Sequence, residues 1–276
     1  MFWSPWELTS NGSNVLKADL HTHSAEDPVD LIPYDARALI DRATASGYSA
    51  LAVTLHDRQL DTTPLASYAR ERDIVLIPGI ERTIRGKHVL LLNFPAQAAE
   101  SVMNFDDLRA LKARHRGLVI APHAFFPHPT ALGNVVDEYP ELFDAIELNA
   151  FYTRLVDFNR TAIRWAAAHG KPIVANADVH RLRQLGTTFS WIDAEPTPDA
   201  VCEAVRENRL TVETAPLTAM QAARHLADLA SADLTNAMNR LSRGAVAGSR
   251  ELGDSRPSSP SGFKVRLKAD TTSRSA

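Results

Sequence analysis

Ala18-Asp19-Leu20-His21-Thr22-His23-Ser24 is the stretch on which the fold turns. Residues 15–20 read as a short buried strand, with His21 and His23 at its C-terminal end. In a strand, residues i and i+2 point to the same side, so the two imidazoles are expected to converge while Leu20 and Thr22 face away. Neutral imidazole suits Zn, Mn, Fe and Ni, and two of them together begin a metal site. Asp19 is expected on the same face, orienting a ligand from behind. Two histidines at a solvated strand end would look the same in isolation. What separates the readings is the recurrence of similar residues at later strand ends.

Working outward, apolar strands are expected at residues 50–54, 74–79, 88–93, 118–122, 144–148, 172–175 and 188–192. They run into His56-Asp57-Arg58, Glu81, His123, Asn149 and Asp178-Val179-His180, while His88 opens its strand. Helical patterns fall between them, at residues 33–47, 65–72, 105–115, 159–169 and 198–208. Short apolar strands alternating with helices imply parallel pairing. Metal-competent residues recurring at one end of many strands imply a barrel with its site on the C-terminal face. An open doubly wound sheet fits less well, because no Gly-rich phosphate loop follows the first strand.

The 276 residues suffice for one α/β barrel, and 45% hydrophobic with 23% charged residues is the composition of a packed globule. A net charge of -3 argues against a generally nucleic-acid-binding surface. The lone Cys202 excludes an internal disulfide and any Cys-rich zinc module, and it fits a reducing cytoplasm. No apolar run reaches the ~20 residues that span a bilayer, and residues 1–6 lack the basic start and apolar core of a signal peptide. A cytoplasmic protein is expected. Four parts are expected: an N-terminal segment at 1–14, the barrel at 15–216, a C-terminal helix at 217–243, and a Ser-, Arg-, Gly- and Pro-rich disordered tail at 244–276.

Taken in order, Asp19-x-His21-x-His23-Ser24, Thr54-Leu55-His56-Asp57, Pro78-Gly79-Ile80-Glu81, His88, Ala121-Pro122-His123, Glu147-Leu148-Asn149 and Asp178-Val179-His180 resemble the PHP family, named for polymerase and histidinol phosphatase members. The resemblance implies an α/β fold, a distorted (β/α)7 TIM-like barrel holding two or three divalent metals, Zn, Mn or Fe. It implies that His21, His23, Glu81 and Asp178 hold the first, and that Glu81 bridges to a second on His88 and His123. A third would take His56, His180 and a loop carboxylate, Asp27 being favoured over Glu26 and Asp30. A metal-bound hydroxide held by Glu81, His123 and Asp178 would attack phosphorus. One departure stands out. The family often has an acidic residue where Leu55 stands, so a hydrogen bond behind His56 is expected to be missing.

Taken singly, each residue also has an ordinary reading: His88 as a core histidine, His123 as a strand cap, Glu81 as a loop charge. Arg58, Arg82, Arg85 and Arg181 lie near proposed ligands and suit a phosphate, and Asn149 suits substrate or a metal-bound water. The function expected is a metal-dependent phosphoesterase acting on a small phosphorylated substrate, a nucleotide or a short nucleic-acid end. An amidohydrolase-type C–N hydrolase would instead show a bridging lysine. A non-catalytic PHP-like binding or regulatory subunit would have lost several ligands.

Overall fold

The computed structural model describes residues 15–228. The expected segment at 1–14, the tail at 244–276 and residues 229–243 of the expected C-terminal helix lie outside the described residues, whereas residues 219–228 are helical. No described helix is long and apolar enough to cross a membrane.

Among the described residues one sheet contains β1 (Val15–Thr22), β2 (Ala50–His56), β3 (Val75–Ile84), β4 (Lys87–Leu92), β5 (Leu118–Ala121), β6 (Ala145–Asn149), β7 (Ile173–Asn176), β8 (Thr188–Asp193) and β9 (Leu210–Thr214). Their order is β7-β6-β5-β4-β3-β2-β1-β8-β9. The connections hold α1 (Ala36–Ala45), α2 (Ala66–Arg70), α3 (Ala96–Glu100), α4 (Phe105–Arg114), α5 (Val135–Glu138), α6 (Asn159–His169) and α7 (Pro198–Arg206). Local sequence accounts for several helix ends. Asp35 caps α1 by accepting from the Ala38 N–H, Asn104 and Asp107 form a capping box on α4, and Gly170 ends α6 at φ 61°. Thr197 caps α7, with Pro198 at its first turn.

The sheet curls until its two ends meet. The Ser190 hydroxyl of β8 bonds both the N–H and the carbonyl of Ala175 on β7, at 2.9 and 3.2 Å. The Asn176 side chain accepts from Leu20 N–H at 2.9 Å, and Thr22 bridges to Val179 beyond β7. The result is a nearly closed barrel of the expected kind, in which β9 adds to the eight strands expected from the sequence. Uniformly parallel pairing is also corrected: β1–β2–β3 and β5–β6–β7 are parallel, but β4 runs against both neighbours, as β8 does against β1 and β9. A two-residue turn at Arg85 and Gly86, with φ of 50° and 77°, folds β3 directly onto β4, leaving no room for a helix. Because β4 runs backwards, His88 near its start lies at the same end of the sheet as the C-terminal ends of β2 and β3.

The third strand is longer than expected. Pro78-Gly79 does not end it, because Pro78 precedes the first β4 pair, Gly79–Leu92, where its missing N–H leaves no gap in the ladder. A Cβ at Gly79 would come within 2.8 Å of both Leu92 and Thr54, so only glycine lets the strand pass. Inside the barrel a period-two stripe runs from apolar to polar. Ala50 and Ala52 lead to His56 on β2, Ile77 to Glu81 on β3, Ala145 to Glu147 on β6, and Leu92 and Leu90 lead back to His88 on β4. The apolar part packs on Val201, Cys202, Ala204 and Val205 of α7. The polar part forms the site.

Candidate metal centre

On β1 a register irregularity between Asp19 and Thr22 places Leu20 with Ala18 in the interior apolar cluster while His21 and His23 still converge. This corrects the simple alternation, in which Leu20 faced away. Asp19 does not reach an imidazole ring: its carboxylate accepts from the backbone N–H of His21 at 3.1 Å and of Ala177 at 3.1 Å, tying β1 to the segment after β7. Burial pushes the Asp19 carboxyl up to about 8.

Glu81 is the hub. Its Oε2 lies 3.3 Å from His21 Nε2, 3.3 Å from His23 Nε2 and 3.2 Å from His56 Nε2. Its Oε1 lies 2.6 Å from His88 Nδ1 and 3.1 Å from His123 Nε2. Asp178 Oδ1 stands 3.4 Å from both His21 Nε2 and His23 Nε2, and 3.4 Å from His180 Nδ1. His123 and Asp178 both hold positive φ, at 28° and 51°, conformations that side chains other than glycine adopt at a cost and that cluster at functional sites.

Behind the imidazoles stand two carboxylates. Asp27 Oδ2 lies 3.1 Å from His23 Nδ1 and 3.0 Å from His56 Nδ1, and its Oδ1 accepts from the N–H groups of Val29 and Asp30. Glu147 Oε2 lies 2.8 Å from His21 Nδ1. A carboxylate at Nδ1 keeps the proton there and turns Nε2 forward as a lone pair. Electrostatics agree. Burial opposes charge on His21 and His23, yet the carboxylates around them outweigh it and hold both well above the ordinary imidazole range. His56 and His123 are raised against their own burial in the same way. Burial also works against ionised Glu81, Asp178 and Glu147, but the imidazoles pull each below the usual carboxylate range.

This donor set fits a divalent cation. His21 Nε2, His23 Nε2 and Asp178 Oδ1 are buried without a hydrogen-bonding partner, which is costly unless something else binds them. Ligand bonds of about 2.0–2.1 Å around a tetrahedral metal put neighbouring donors about 3.4 Å apart. The four edges from His21 and His23 to Glu81 and Asp178 measure 3.3, 3.3, 3.4 and 3.4 Å.

The PHP-associated family model matches residues 157–210. No curated protein matches the chain. Solved structures share the architecture. A two-domain protein from Bacteroides vulgatus ATCC 8482, containing a predicted PHP-like metal-dependent phosphoesterase, superposes with a TM-score of 0.58 at 18% identity, over 74% of this chain and 66% of that one. PsfC from Pseudomonas syringae PB-5123 gives 0.54 at 16% identity, over 83% and 99%. The lesion-specific endonuclease PfuEndoQ from Pyrococcus furiosus gives 0.52 at 18% identity, over 72% and 58%.

The fold is that of a PHP domain.

Within this PHP barrel, the nine residues expected as ligands, His21, His23, Asp27, His56, Glu81, His88, His123, Asp178 and His180, gather at one end of the sheet. The substrate candidates are placed differently. Arg82 follows Glu81 on the strand and so points away from it; its guanidinium engages Val102 O at 2.7 Å, Met103 Sδ at 2.8 Å and Asp57 at 2.5 Å. Asn149 is buried, donating to Glu147 Oε1 at 2.8 Å and accepting from Phe151 N–H at 2.8 Å. Arg85 lies exposed in the hairpin turn. Arg58 is exposed and donates to the Glu26 carbonyl, while Arg181 donates to the His180 carbonyl at 2.9 Å.

One expectation about hydrogen bonding changes. The bond thought missing behind His56 is present, because Asp27 supplies it from another loop; Leu55 is simply core. Asp57, just after β2, locks β2 to β3 by accepting from Arg82 and from Thr83 N–H at 2.7 Å. Glu147 itself has no expected role, although it opens the Glu147-Leu148-Asn149 strand end. The available signal was its position two residues before Asn149, on the interior face of a strand that is otherwise apolar up to that residue.

Proposed function

We propose that this chain is a metal-dependent phosphoesterase. His21, His23, Glu81 and Asp178 hold one divalent cation, and Glu81, His88 and His123 hold a second. His56 and His180 hold a third with a loop carboxylate, for which Asp30, 3.1 Å from His180 Nε2, is favoured over Asp27. Asp27 already accepts from two imidazoles and three backbone N–H groups, which suits an orienting role better than ligation. The observation that carries the reading is the Glu81 carboxylate, whose two oxygens face separate groups of histidines. Cations held there would polarise a phosphoryl oxygen and lower the pKa of a water to about 7.

The chain's own residues do the positioning. Asp27 and Glu147 fix the Nδ1 protons and so aim Nε2 of three imidazoles into the centre. Asp178 and His180, with side chains 25% and 20% exposed, stand at the solvent side, where a substrate enters. Arg58, exposed beside the loop that carries Asp27, is the arginine left to meet the phosphate, whereas Arg181 turns to the His180 carbonyl and toward Asp228. A lesion-specific endonuclease with the same fold makes nucleic-acid ends a substrate to include in the test.

The test is phosphate release from phosphomonoesters, nucleotides and 5′- or 3′-phosphorylated oligonucleotides, using chelator-stripped protein with Mn, Zn or Fe restored. Metal-restored release that an Asp178→Ala, His180→Ala double variant loses is expected. Tight metal retention without release from any of these would refute the reading.

Metal binding is expected to release protons. The raised imidazoles of His21, His23, His56 and His123 hold their protons to higher pH than a free imidazole, and ligation must displace them, whereas the lowered carboxyls of Glu81 and Asp178 give theirs up more readily. Affinity should therefore climb with pH throughout the range below the raised pKa values and level off only once they are passed, at higher pH than for free imidazoles. Titration calorimetry in buffers of different ionisation enthalpy reads the released protons directly. Identical heats in all buffers would contradict this.

A further inference from the structure

Behind the His180 loop lies a cavity of about 210 Å³, between residues 183–187 and the helix at 219–228. It is smaller than the ~300–1,000 Å³ typical of drug-sized ligands, so it suits a small ion. Its lining is cationic and polar: Arg183, Arg224, His225, Gln184, Gln221 and Thr187, with Leu217 as the apolar wall. Of the two arginines, Arg183 pairs with Asp228, and the Arg181 guanidinium approaches the same carboxylate at 3.9 Å. Arg224 has no ion-pair partner among the described residues. The carboxylate near the cavity is thus already matched by more than one guanidinium.

The floor is built rather than loose. His225 is buried, stacks on Phe151 with ring centroids 5.8 Å apart, and lies 3.3 Å from the Gln184 amide through Nδ1. Gln184 in turn accepts from the backbone N–H of His180 at 2.6 Å and of Arg181 at 2.5 Å. One amide therefore faces the cavity and holds the backbone of a proposed metal ligand.

We propose that this cavity is a binding site for a small tetrahedral oxyanion, a phosphate group, distinct from the metal centre. Guanidinium forks match phosphate oxygens, and the hydroxyl and amide groups of Thr187, Gln184 and Gln221 supply further donors. The site needs no metal chemistry, so it stands or falls independently of the phosphoesterase reading.

The test is calorimetric titration of inorganic phosphate into the full-length protein carrying Asp178→Ala, which cripples phosphate binding at the metal centre. Saturable binding to one site is expected, weakened at least tenfold by adding Arg224→Ala, an exposed position whose loss leaves the core intact. Absence of saturable binding, or equal affinity with and without Arg224, would overturn the proposal. If Asp178→Ala fails to fold, wild-type protein held in chelator gives the same comparison. Glycerol phosphate in parallel separates the sources. Tighter binding than inorganic phosphate assigns the cavity to an esterified phosphate, weaker binding assigns it to the free ion, and either supports the site.

Discussion

Glu81→Gln is expected to abolish metal-dependent hydrolysis while leaving the barrel folded. The change keeps the shape of the side chain and removes its charge. In the native protein that charge faces five imidazoles, those of His21, His23, His56, His88 and His123, at 2.6 to 3.3 Å. A neutral amide offers one oxygen where two are needed, and it turns an N–H donor toward either the His88 and His123 side or the His21, His23 and His56 side. Losing a contact that merely supports a ligand typically lowers metal affinity or activity by ~10–100-fold. Losing the carboxylate shared by two groups of histidines should exceed that range in both. Metal content after dialysis, read beside the circular dichroism spectrum, checks the expectation. Retention of two or more equivalents of metal by the folded variant would show that Glu81 is not the bridge.

The second large effect is expected at Glu147, which touches no proposed cation position. Its carboxylate is fully buried and accepts four hydrogen bonds: from His21 Nδ1 at 2.8 Å, Asn176 Nδ2 at 3.1 Å, Asn149 Nδ2 at 2.8 Å and His123 N–H at 3.1 Å. It thus ties β6 to β1, to β7 and to the His123 turn while setting the tautomer of His21. Glu147→Ala leaves those donors unpaired in the barrel interior, and breaking a buried charged pair costs about 3–5 kcal/mol. Glu147→Gln separates the roles. It fills the space, but its amide N–H must oppose a donor on one side, so metal affinity should fall ~10–100-fold with a smaller loss of stability. Denaturant unfolding and competitive metal titration measure the two. Wild-type affinity in a folded Glu147→Gln protein would remove Glu147 from the centre.

Both expectations rest on how neighbouring strands meet, and this divides what the sequence could tell from what it could not. Strand and helix existence follows from local pattern: α6 matches the expected span at 159–169, and β2 and β6 fall within two residues of it. The histidines and carboxylates are identifiable because ligand chemistry demands those residue types, and they stand out against apolar strands. Pro78-Gly79 misleads because its meaning depends on the neighbours. It looks like a stop, yet Gly79 is required by Leu92 and Thr54 pressing from adjacent strands.

The sequence by itself therefore determined the alternation of elements, the residue types of the site and their order along the chain. Only the tertiary structure decided which carboxylate stands behind which imidazole. Asp27 reaches His56 across 29 residues and Glu147 reaches His21 across 126. The direction of β4, the register slip in β1 and the commitment of Arg82 to Asp57 were likewise settled by packing. The physical reason is that type and periodicity are carried by each residue and its near neighbours. Hydrogen-bond partnership inside a closed barrel belongs instead to pairs that meet only when the sheet curls shut.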